Sequence, residues 1–266
     1  MNNIRIAHET IKITQMREYQ CGDETILMPP ADYDSVIVIQ PETAKELLGA
    51  PLPEEKGFAP CRILLTTDDS FTAAQPLENA LVLNFANAHH AGGGFMLGAN
   101  AQEEALCRCS TLYASITSDS AAEMYRFNNT HIRATESDYM LLSRDVLVFR
   151  NHKLELLKNP FRTAVITVPA PNRRGAAAFT SKKTLEETFL RRAGIILRIA
   201  VHYGYKNLVL GAWGCGAFGN DPVMVASCFK AALETDDLAY YFDTVCFAVY
   251  GSPESKNYRA FCSVFA

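Results

Sequence analysis

Apolar and polar positions alternate along the chain in blocks that predict strands and helices in turn from about residue 60 onward. Short runs rich in Val, Ile and Leu are typical of buried strands, and they are separated by segments with helical periodicity. The predicted strands are CRILLT, LVLNFAN, MLLSRDVLVFRN, FRTAVITVPAP, NLVLGAW and DTVCFAVYG. This order predicts an α/β fold of three layers around a central mixed or parallel sheet.

Helical periodicity is clearest in LEETFLRRAGIILRIAVHYGY, where Leu185, Phe189, Ile196 and Ile199 recur on one face. Gly204 is expected to end this helix, because glycine readily adopts the backbone conformation that follows a helix. Further helices are predicted from Gln102 through Tyr113, from Pro222 to Leu233, and over the final PESKNYRAFCSVF.

The part of the chain before residue 60 carries no motif that indicates chemistry. MNNIRIAHETIKITQMREY has the pattern of an amphipathic helix, with Ile4, Ile11 and Ile13 as candidates for burial. VIVIQPETAKELL predicts a strand followed by a helix. We therefore expect an N-terminal accessory region over residues 1–60, with a soft boundary, packed on a catalytic core over residues 61–266.

Composition limits the class of protein. The 266 residues are 48% hydrophobic and 20% charged, which is typical of one large globular domain or a domain with a subdomain. The chain has no apolar run of membrane-spanning length and no start typical of a signal peptide, so the sequence predicts a cytoplasmic protein without a membrane partner. The eight cysteines follow no disulfide framework, and we expect reduced thiols.

The net charge of −4 argues against direct binding of duplex nucleic acid, which requires a strongly basic surface. A short anionic ligand is compatible with this charge, because backbone N–H groups and helix N-termini can bind a diphosphate without an excess of Lys and Arg.

Candidate chemistry is concentrated in the segment LVLNFANAHHAGGGFMLGANAQEE, Leu81 to Glu104. The triple glycine Gly92 to Gly94 lets backbone N–H groups approach another group closely, because no Cβ intervenes. Gln102 to Glu104 then open a predicted helix with two acidic residues. Ordinary capping of a helix N-terminus would explain these acids, but it does not explain the glycines and asparagines before them.

The combination of FAN, then GGG, then QEE after the seven-residue spacer Phe95 to Ala101 resembles the catalytic signature of poly(ADP-ribose) glycohydrolases, in particular the compact bacterial type. The likeness extends to a second glycine loop and covers most of the chain beyond about residue 60. It implies a macrodomain-like fold with a central mixed sheet, ADP-ribose as the product, and no metal or other cofactor.

The second glycine loop, GAWGCGAFGND, lies between a predicted strand and a predicted helix. It contains GxGxxG, but a dinucleotide-binding loop follows the first strand of its domain and precedes an acidic residue at the end of the next strand, and neither condition holds in this chain. The general arrangement still predicts a phosphate cradle. Both glycine loops could clasp a diphosphate, and the substrate-binding candidates in them are Gly92, Gly93, Gly94, Gly214, Cys215, Gly216, Ala217 and Gly219.

Hydrolysis of a ribosidic bond requires a proton for the departing oxygen and stabilisation of a cationic transition state. Glu103 and Glu104 are adjacent on a helix, so their side chains diverge by about 100° and cannot face each other across one bond. The resemblance implies that Glu104 is the general acid, and then the base towards water. It also implies that Glu103 and Asn87 hold the distal ribose and that Gln102 supports them.

Two aromatic residues complete the site implied by the resemblance. Phe218 would lie against the distal ribose and Tyr250 would stack on adenine. The alternative for Phe218 is packing in the core, and Tyr250 could equally be a residue that simply ends a buried strand. Arg173 and Arg174 offer either a contact for an anion at the mouth of the site or a solvated pair.

Other candidates for catalysis are weaker. His89 and His90 lack the i, i+4 spacing of a helical zinc pair, which favours a loop role. Cys107 and Cys109 point to different sides of a helix, so no metal pair is expected there. Cys215 lies in a glycine loop, but the sequence offers no base to activate it.

The sequence thus predicts an enzyme that cleaves ribose–ribose bonds in poly(ADP-ribose), by resemblance mainly at chain ends. Two other functions stay open on the same scaffold. One is a hydrolase of mono-ADP-ribosylated protein or another ADP-ribosyl substrate. The other is a binding module that recognises ADP-ribose without turnover.

Overall fold

The computed structural model describes residues 2–265, which form nine α-helices and nine strands. The helices are α1 (Asn3–Met16), α2 (Pro41–Gly49), α3 (Ser70–Ala74), α4 (Gln102–Cys109), α5 (Leu112–Ile116), α6 (Ala122–Thr130), α7 (Lys182–His202), α8 (Pro222–Glu234) and α9 (Lys256–Phe265). The strands are β1 (Glu18–Cys21), β2 (Glu24–Leu27), β3 (Ile37–Ile39), β4 (Arg62–Thr66), β5 (Ala80–Ala86), β6 (Met140–Arg150), β7 (Leu156–Pro169), β8 (Asn207–Leu210) and β9 (Thr244–Ala248).

Seven of the strands form a mixed sheet in the order β3-β6-β7-β5-β8-β9-β4. Strands β7, β5, β8, β9 and β4 are parallel, and β6 runs antiparallel to β7 and to β3. The predicted α/β fold with a central mixed sheet is therefore confirmed.

The central strand β5 shows why helices cover both faces of the sheet. Leu81 and Leu83 point into a hydrophobic cluster that includes α7 and α8, and Val82 points into a second cluster that includes α3 to α6. Successive side chains of a strand alternate between faces, so a strand that is apolar at every position must be covered on both sides. This accounts for the three layers.

The helix expected from Gln102 through Tyr113 is interrupted. Helix α4 ends at Cys109 and α5 begins at Leu112, because Ser110 is extended and forms a β-bridge with Val148. On the other face of the sheet the prediction for α7 is confirmed, since the helix ends at His202 and Gly204 has a φ of +76°.

The N-terminal region packs on the rest of the chain. Strand β3 extends the sheet by pairing with β6, and β1 and β2 form a hairpin that the sequence did not predict. The prediction of burial is correct for Ile13 and wrong for Ile4, because the packed face of α1 passes through Ile6, Ala7, Thr10 and Ile13. The boundary at residue 60 stays a prediction, and Met1 and Ala266, the outermost residues of the two predicted regions, lie outside the described part of the chain.

All eight cysteines are unpaired, in line with the expectation of reduced thiols. Among the helices of residues 2–265, none is long and apolar enough to cross a membrane.

Arg192 connects α7 to the sheet and to the segment before β6. It is fully buried, its Nε pairs with Asp138 Oδ1 at 2.8 Å, and its Nη1 and Nη2 donate to the carbonyls of Pro169 and Thr135 at 3.0 and 2.6 Å. Arg191 binds the same aspartate from the surface. Burial raises the pKa of Asp138, but the two guanidinium groups outweigh it and hold that pKa below its usual range.

Replacing Arg192 with leucine is expected to destabilise the fold by about 3–5 kcal/mol, because it leaves the carbonyls of Pro169 and Thr135 without this donor and leaves the partly buried carboxylate of Asp138 with Arg191 alone. The matched variant Arg191→Leu removes a half-exposed partner of the same aspartate, so its cost should stay below about 1 kcal/mol. Urea unfolding of both variants measures the difference, and equal losses would contradict a special role for the buried arginine.

Candidate active site

The carboxyl ends of β5, β8 and β9 open into one cleft, in agreement with the general position of ligand sites in open α/β sheets. The cleft has a volume of about 680 Å³, within the usual range for small-molecule sites. The predicted site residues that line it are Asn87, Gln102, Glu103, Glu104, Gly214, Gly216, Ala217, Phe218 and Tyr250. Gly92, Gly93, Gly94, Cys215 and Gly219 are not among the lining residues.

Glu103 is buried at the start of α4 and is held by the end of β5. Its Oε1 accepts a hydrogen bond from Asn84 Nδ2 at 3.3 Å, and its Oε2 accepts one from the backbone N–H of Asn87 at 2.8 Å. Burial raises the pKa of Glu103 to about 8, against the effect of these hydrogen bonds and with a further contribution from the charge of Glu104. Near neutral pH the Glu103 carboxyl is therefore mainly protonated, and it can donate as well as accept a hydrogen bond.

This raised pKa makes the stability of the protein dependent on pH. A carboxyl whose pKa is higher in the folded than in the unfolded state contributes stability that is complete below its ordinary value of 4.5 and is lost as the pH rises through about 8. We expect wild type to lose a few kcal/mol over this window, and Glu103→Gln, which cannot ionise, to lose less.

Urea unfolding at pH values of about 5, 7 and 9 tests this expectation. The glutamine can be accommodated, because Asn84 Oδ1 is buried without a partner among residues 2–265 and can accept from the new amide once the Asn84 side chain inverts. The same loss of stability in both proteins would contradict a neutral Glu103.

Glu104 is buried beside Glu103 and joins the triple glycine to the start of α4. Its Oε1 accepts from the backbone N–H of Gly94 at 2.9 Å, and its Oε2 accepts from that of Ala101 at 3.0 Å. The second bond caps the helix, so the interpretation of QEE as a capped helix start is correct for this residue. Because the same carboxyl also lines the cleft, capping and a role towards a ligand coexist in one side chain.

The triple glycine surrounds the two glutamates. The N–H of Gly93 donates to the carbonyl of His90 at 2.9 Å, and the backbone of Gly92 acts to lower the pKa of Glu103. A Cβ added to Gly93 would lie 2.5 Å from Glu104 Oε1, so only glycine allows this approach. The N–H of Gly94 thus holds a carboxylate and that of Gly93 a carbonyl of its own loop, so neither is free for the phosphate expected at 92–94.

The second glycine loop has the properties of an anion site. The N–H groups of Gly216, Ala217 and Phe218 donate to no acceptor among residues 2–265, whereas those of Cys215 and Gly219 are used within the loop. Three consecutive free amides at the wall of a cleft can bind the oxygens of a phosphate. The predicted cradle in the second glycine loop thus has open donors at 216–218, and the binding of a diphosphate by either loop stays a prediction.

Two predicted residues of this loop, Cys215 and Gly219, do not line the cleft. Cys215 packs against the core, its Sγ lies 3.6 Å from the carbonyl of Trp213, and burial raises the pKa of its thiol to about 12. The side chain of Arg174 crosses Gly219, whose added Cβ would meet Arg174 Nε at 3.0 Å. At neutral pH Cys215 is therefore a protonated core thiol, and it lacks the character of a nucleophile.

Asn87 and Gln102 shape the site from the end of β5. Asn87 Oδ1 accepts from the backbone N–H of His89 at 2.8 Å, while its Nδ2 has no acceptor among the described residues and is available to a ligand. Gln102 Oε1 accepts from the N–H of Phe85 at 2.9 Å and its Nε2 donates to the carbonyl of Leu83 at 2.8 Å. Gln102 thus ties α4 to β5 and fixes the direction of the glutamates that follow it.

The sequence of this chain matches a known family. The family model of the microbial-type PARG catalytic domain, where PARG is poly(ADP-ribose) glycohydrolase, matches residues 7–151, more than half of the chain. The chain belongs to the microbial-type poly(ADP-ribose) glycohydrolases. No curated protein sequence matches it.

Solved glycohydrolases resemble the chain over most of its length. Poly(ADP-ribose) glycohydrolase from Thermomonospora curvata is 36% identical with a TM-score of 0.92, and the match covers 99% of both chains. The same enzyme bound to the inhibitor ADP-HPD is 35% identical with a TM-score of 0.88, again over 99% of both chains. The Deinococcus radiodurans glycohydrolase in complex with ADP-ribose is 35% identical with a TM-score of 0.78, over 86% of this chain and 93% of that chain.

The two aromatic candidates both line the cleft of this glycohydrolase. Tyr250 follows β9 and is 70% exposed, so its ring face is open to a ligand. Phe218 is partly buried against the main hydrophobic cluster and also lines the cleft. Core packing and a ligand contact are therefore compatible for Phe218, since different parts of one ring serve each.

Sequence reasoning about this glycohydrolase missed residues that support the glutamates. Asn84 is fully buried in β5 and donates to both Glu103 and Thr167 Oγ1. Its signal in the sequence was a single polar residue inside the apolar run LVLNFA. Arg108, also buried, donates to the carbonyl of Ala99 at 2.6 Å and so fixes the spacer before QEE, and no comparable signal in the sequence indicated it.

The paired histidines take part in different contacts. His89 Nε2 lies 3.3 Å from Glu136 Oε1 and His89 Nδ1 lies 3.0 Å from Asn129 Oδ1, whereas His90 is exposed. Among residues 2–265, no three His, Cys, Asp or Glu side chains are grouped so that they could hold a metal ion.

Proposed function

We propose that this glycohydrolase cleaves the ribose–ribose O-glycosidic bonds of poly(ADP-ribose) and releases ADP-ribose, mainly from chain ends. The observation that carries the proposal is the meeting of two buried glutamates and three free amides, those of Gly216 to Phe218, in one cleft. The complex of the Deinococcus radiodurans enzyme with ADP-ribose supports the same ligand for this cleft.

The order of the strands suggests how the terminal ADP-ribose unit lies. Tyr250 follows β9, the free amides follow β8, and Asn87 follows β5, in the order in which these strands stand in the sheet. In this orientation adenine stacks on Tyr250 and the diphosphate binds the amides of residues 216–218. The distal ribose then lies between Asn87, Glu103 and Phe218. Both hydrogen-bonding groups at the ribose suit neutral hydroxyls, because Asn87 Nδ2 is free and Glu103 is protonated near neutral pH.

In the proposed reaction, Glu104 gives its proton to the oxygen that leaves C1 of the distal ribose. The bond between that carbon and that oxygen breaks, positive charge develops on the ribose, and the diphosphate of the same unit stabilises it. Water then adds its oxygen to C1 and returns a proton to Glu104, which restores the starting state. Gly94 and Ala101 hold the two carboxyl oxygens of Glu104 throughout by their backbone N–H groups.

Glu103 is a second candidate for the acid, because burial raises its pKa to about 8 and a general acid must be protonated at the working pH. The position of Glu104 in the family signature favours Glu104 as the acid.

The N-terminal accessory region is proposed to support this site. Asn3 lines the cleft and its Nδ2 donates to the carbonyl of Gly98 at 3.1 Å, and Thr10 donates to the carbonyl of Arg108 at 2.8 Å. Helix α1 thereby braces the spacer between GGG and QEE. A reducing compartment such as the cytoplasm is proposed for the protein, because all eight thiols are unpaired.

The test is product release from poly(ADP-ribose) and from mono-ADP-ribosylated protein by the wild-type chain. We expect ADP-ribose from the polymer, with few oligomeric products if attack is at chain ends. Release from the mono-modified protein alone would assign the same scaffold to mono-ADP-ribosyl hydrolysis. Tight binding of free ADP-ribose without release from either substrate would identify a binding module and refute the proposal.

A further inference from the structure

A second, smaller cavity opens beside the catalytic cleft. It has a volume of about 160 Å³ and shares Asn87 and Phe218 with the cleft. Its other walls include Glu136 and Asn172. Asn172 follows β7, which neighbours β5 on the side opposite to β8 and β9. The small cavity therefore lies beyond the glutamates when the cleft is followed from Tyr250.

This position coincides with the path of the polymer beyond the bond that is cleaved. In poly(ADP-ribose) the distal ribose of one unit is bonded to the adenosine ribose of the next unit. If the terminal unit runs from Tyr250 to Asn87, the adenosine of the next unit must continue past Asn87 and Phe218. A cavity of this size has room for one sugar or base, and a whole ADP-ribose unit would extend out of it.

The walls of the small cavity are polar and ordered. The Glu136 side chain is only 5% exposed, and His89 Nε2 lies 3.3 Å from its Oε1. His89 is fixed in turn by Asn129, which contacts both its Nδ1 and its carbonyl. A carboxylate held in this way can accept hydrogen bonds from ribose hydroxyls or from an adenine amino group.

The loop between β7 and α7, residues 170–181, adds positive charge at the rim of the small cavity. Arg173 and Arg174 are exposed, and neither forms an ion pair with any residue from 2 to 265. Asn172 and Ala176 of the same loop line the cavity, and the Arg174 side chain crosses Gly219 beside Phe218. Two unpaired cations next to the exit of an anionic substrate attract its next diphosphate.

We propose that the small cavity, with Arg173 and Arg174 at its rim, binds the leaving unit of poly(ADP-ribose). The cavity takes the adenosine that departs from the cleaved bond, and the two arginines take the diphosphate attached to it. This inference rests on the proposed function, and it gives the site a physical reason to prefer polymer over a single ADP-ribosyl group, since only a polymer has a second diphosphate at this distance.

The test compares a double variant, Arg173→Ser with Arg174→Ser, with wild type in two measurements. The first is kcat/KM on poly(ADP-ribose), and the second is the Kd of free ADP-ribose by calorimetry. We expect kcat/KM on polymer to fall about tenfold, because two exposed phosphate contacts are lost, and the Kd of ADP-ribose to stay unchanged. The loss should shrink as salt is raised, since exposed charges are screened.

A charge-matched control removes two cations from the opposite edge of the sheet. Arg62 and Lys206 stand at the amino ends of β4 and β8, so Arg62→Ser with Lys206→Ser changes the net charge equally but leaves the rim intact. An independent variant, Ala176→Phe, fills the small cavity from an exposed position. It should also lower kcat/KM on polymer without changing the Kd of ADP-ribose.

Three results would overturn the inference while leaving the proposed function intact. One is unchanged turnover of polymer by both rim and cavity variants. Another is an equal weakening of ADP-ribose binding, which would assign the arginines to the terminal unit. The third is an equal fall in kcat/KM for the control variant, which would mean that the overall charge of the protein, and not the rim, causes the loss. If wild type itself does not cleave polymer, the proposed function fails first, and the inference with it.

Discussion

Replacing Glu104 with glutamine is expected to lower the rate of poly(ADP-ribose) hydrolysis by about 10²–10⁴-fold, the usual contribution of a positioned general acid or base. The amide cannot give a proton to the departing oxygen or take one from water. ADP-ribose binding should stay close to that of wild type, because the glutamine keeps the volume of Glu104 and still accepts from one of its two backbone donors, Gly94 or Ala101. Single-turnover release of ADP-ribose, with calorimetry for binding, measures both.

The matched control is Glu103→Gln, which makes the neighbouring carboxyl permanently neutral. Since Glu103 is already mainly neutral near pH 7, this variant should keep most of its rate there, with any loss found mainly in KM. If activity needs the neutral form, the fall in wild-type rate above about pH 8 should be absent from the variant. A severe loss in Glu103→Gln together with an active Glu104→Gln would assign the acid to Glu103.

Replacing Gly93 with alanine is expected to lower activity by at least about 10²-fold, the scale on which a small misplacement of catalytic groups costs rate. The added Cβ would lie 2.5 Å from Glu104 Oε1 and 3.3 Å from Glu103 Oε2, so both carboxyls must move. The φ of Gly93 is +54°, which alanine adopts only at a cost of about 1 kcal/mol or more. Initial rates on polymer and the urea midpoint are measured together.

A control variant at a second glycine distinguishes the effect of backbone strain on activity from the effect of displaced glutamates. Gly204 after α7 has a φ of +76°, and an added Cβ there meets nothing within 4 Å. Gly204→Ala should therefore lose similar backbone stability but keep full activity. Comparable losses of rate in both variants would mean that Gly93 acts through the stability of the fold and not through the position of the glutamates.

Much of the fold could be predicted from the sequence, because burial on one or both faces of an element leaves a pattern in neighbouring residues. Leu81, Val82 and Leu83 are such a pattern, because successive side chains point to opposite faces of the strand and all three are apolar. They correctly indicated a central strand that is covered on both faces. The prediction of a continuous helix through Tyr113 was wrong, because the β-bridge between Ser110 and Val148 interrupts it. These two residues are far apart in the chain, so the local sequence pattern does not reveal their contact. The hairpin β1–β2 was missed, since each strand has only four residues and Tyr19 is the only one of the eight that is buried, which leaves little hydrophobic pattern.

For the site, the sequence by itself determined which groups stand next to each other: two glutamates at the start of a helix, a triple glycine before them, and a second glycine loop after β8. Only the tertiary structure decided which backbone amides are free. Those of Gly93 and Gly94 are bound within the protein, while those of Gly216 to Phe218 are open. The reason is that a hydrogen-bond donor is available only if no acceptor elsewhere in the fold reaches it, and such acceptors, like the burial that raises the pKa of Glu103, come from residues distant in the chain.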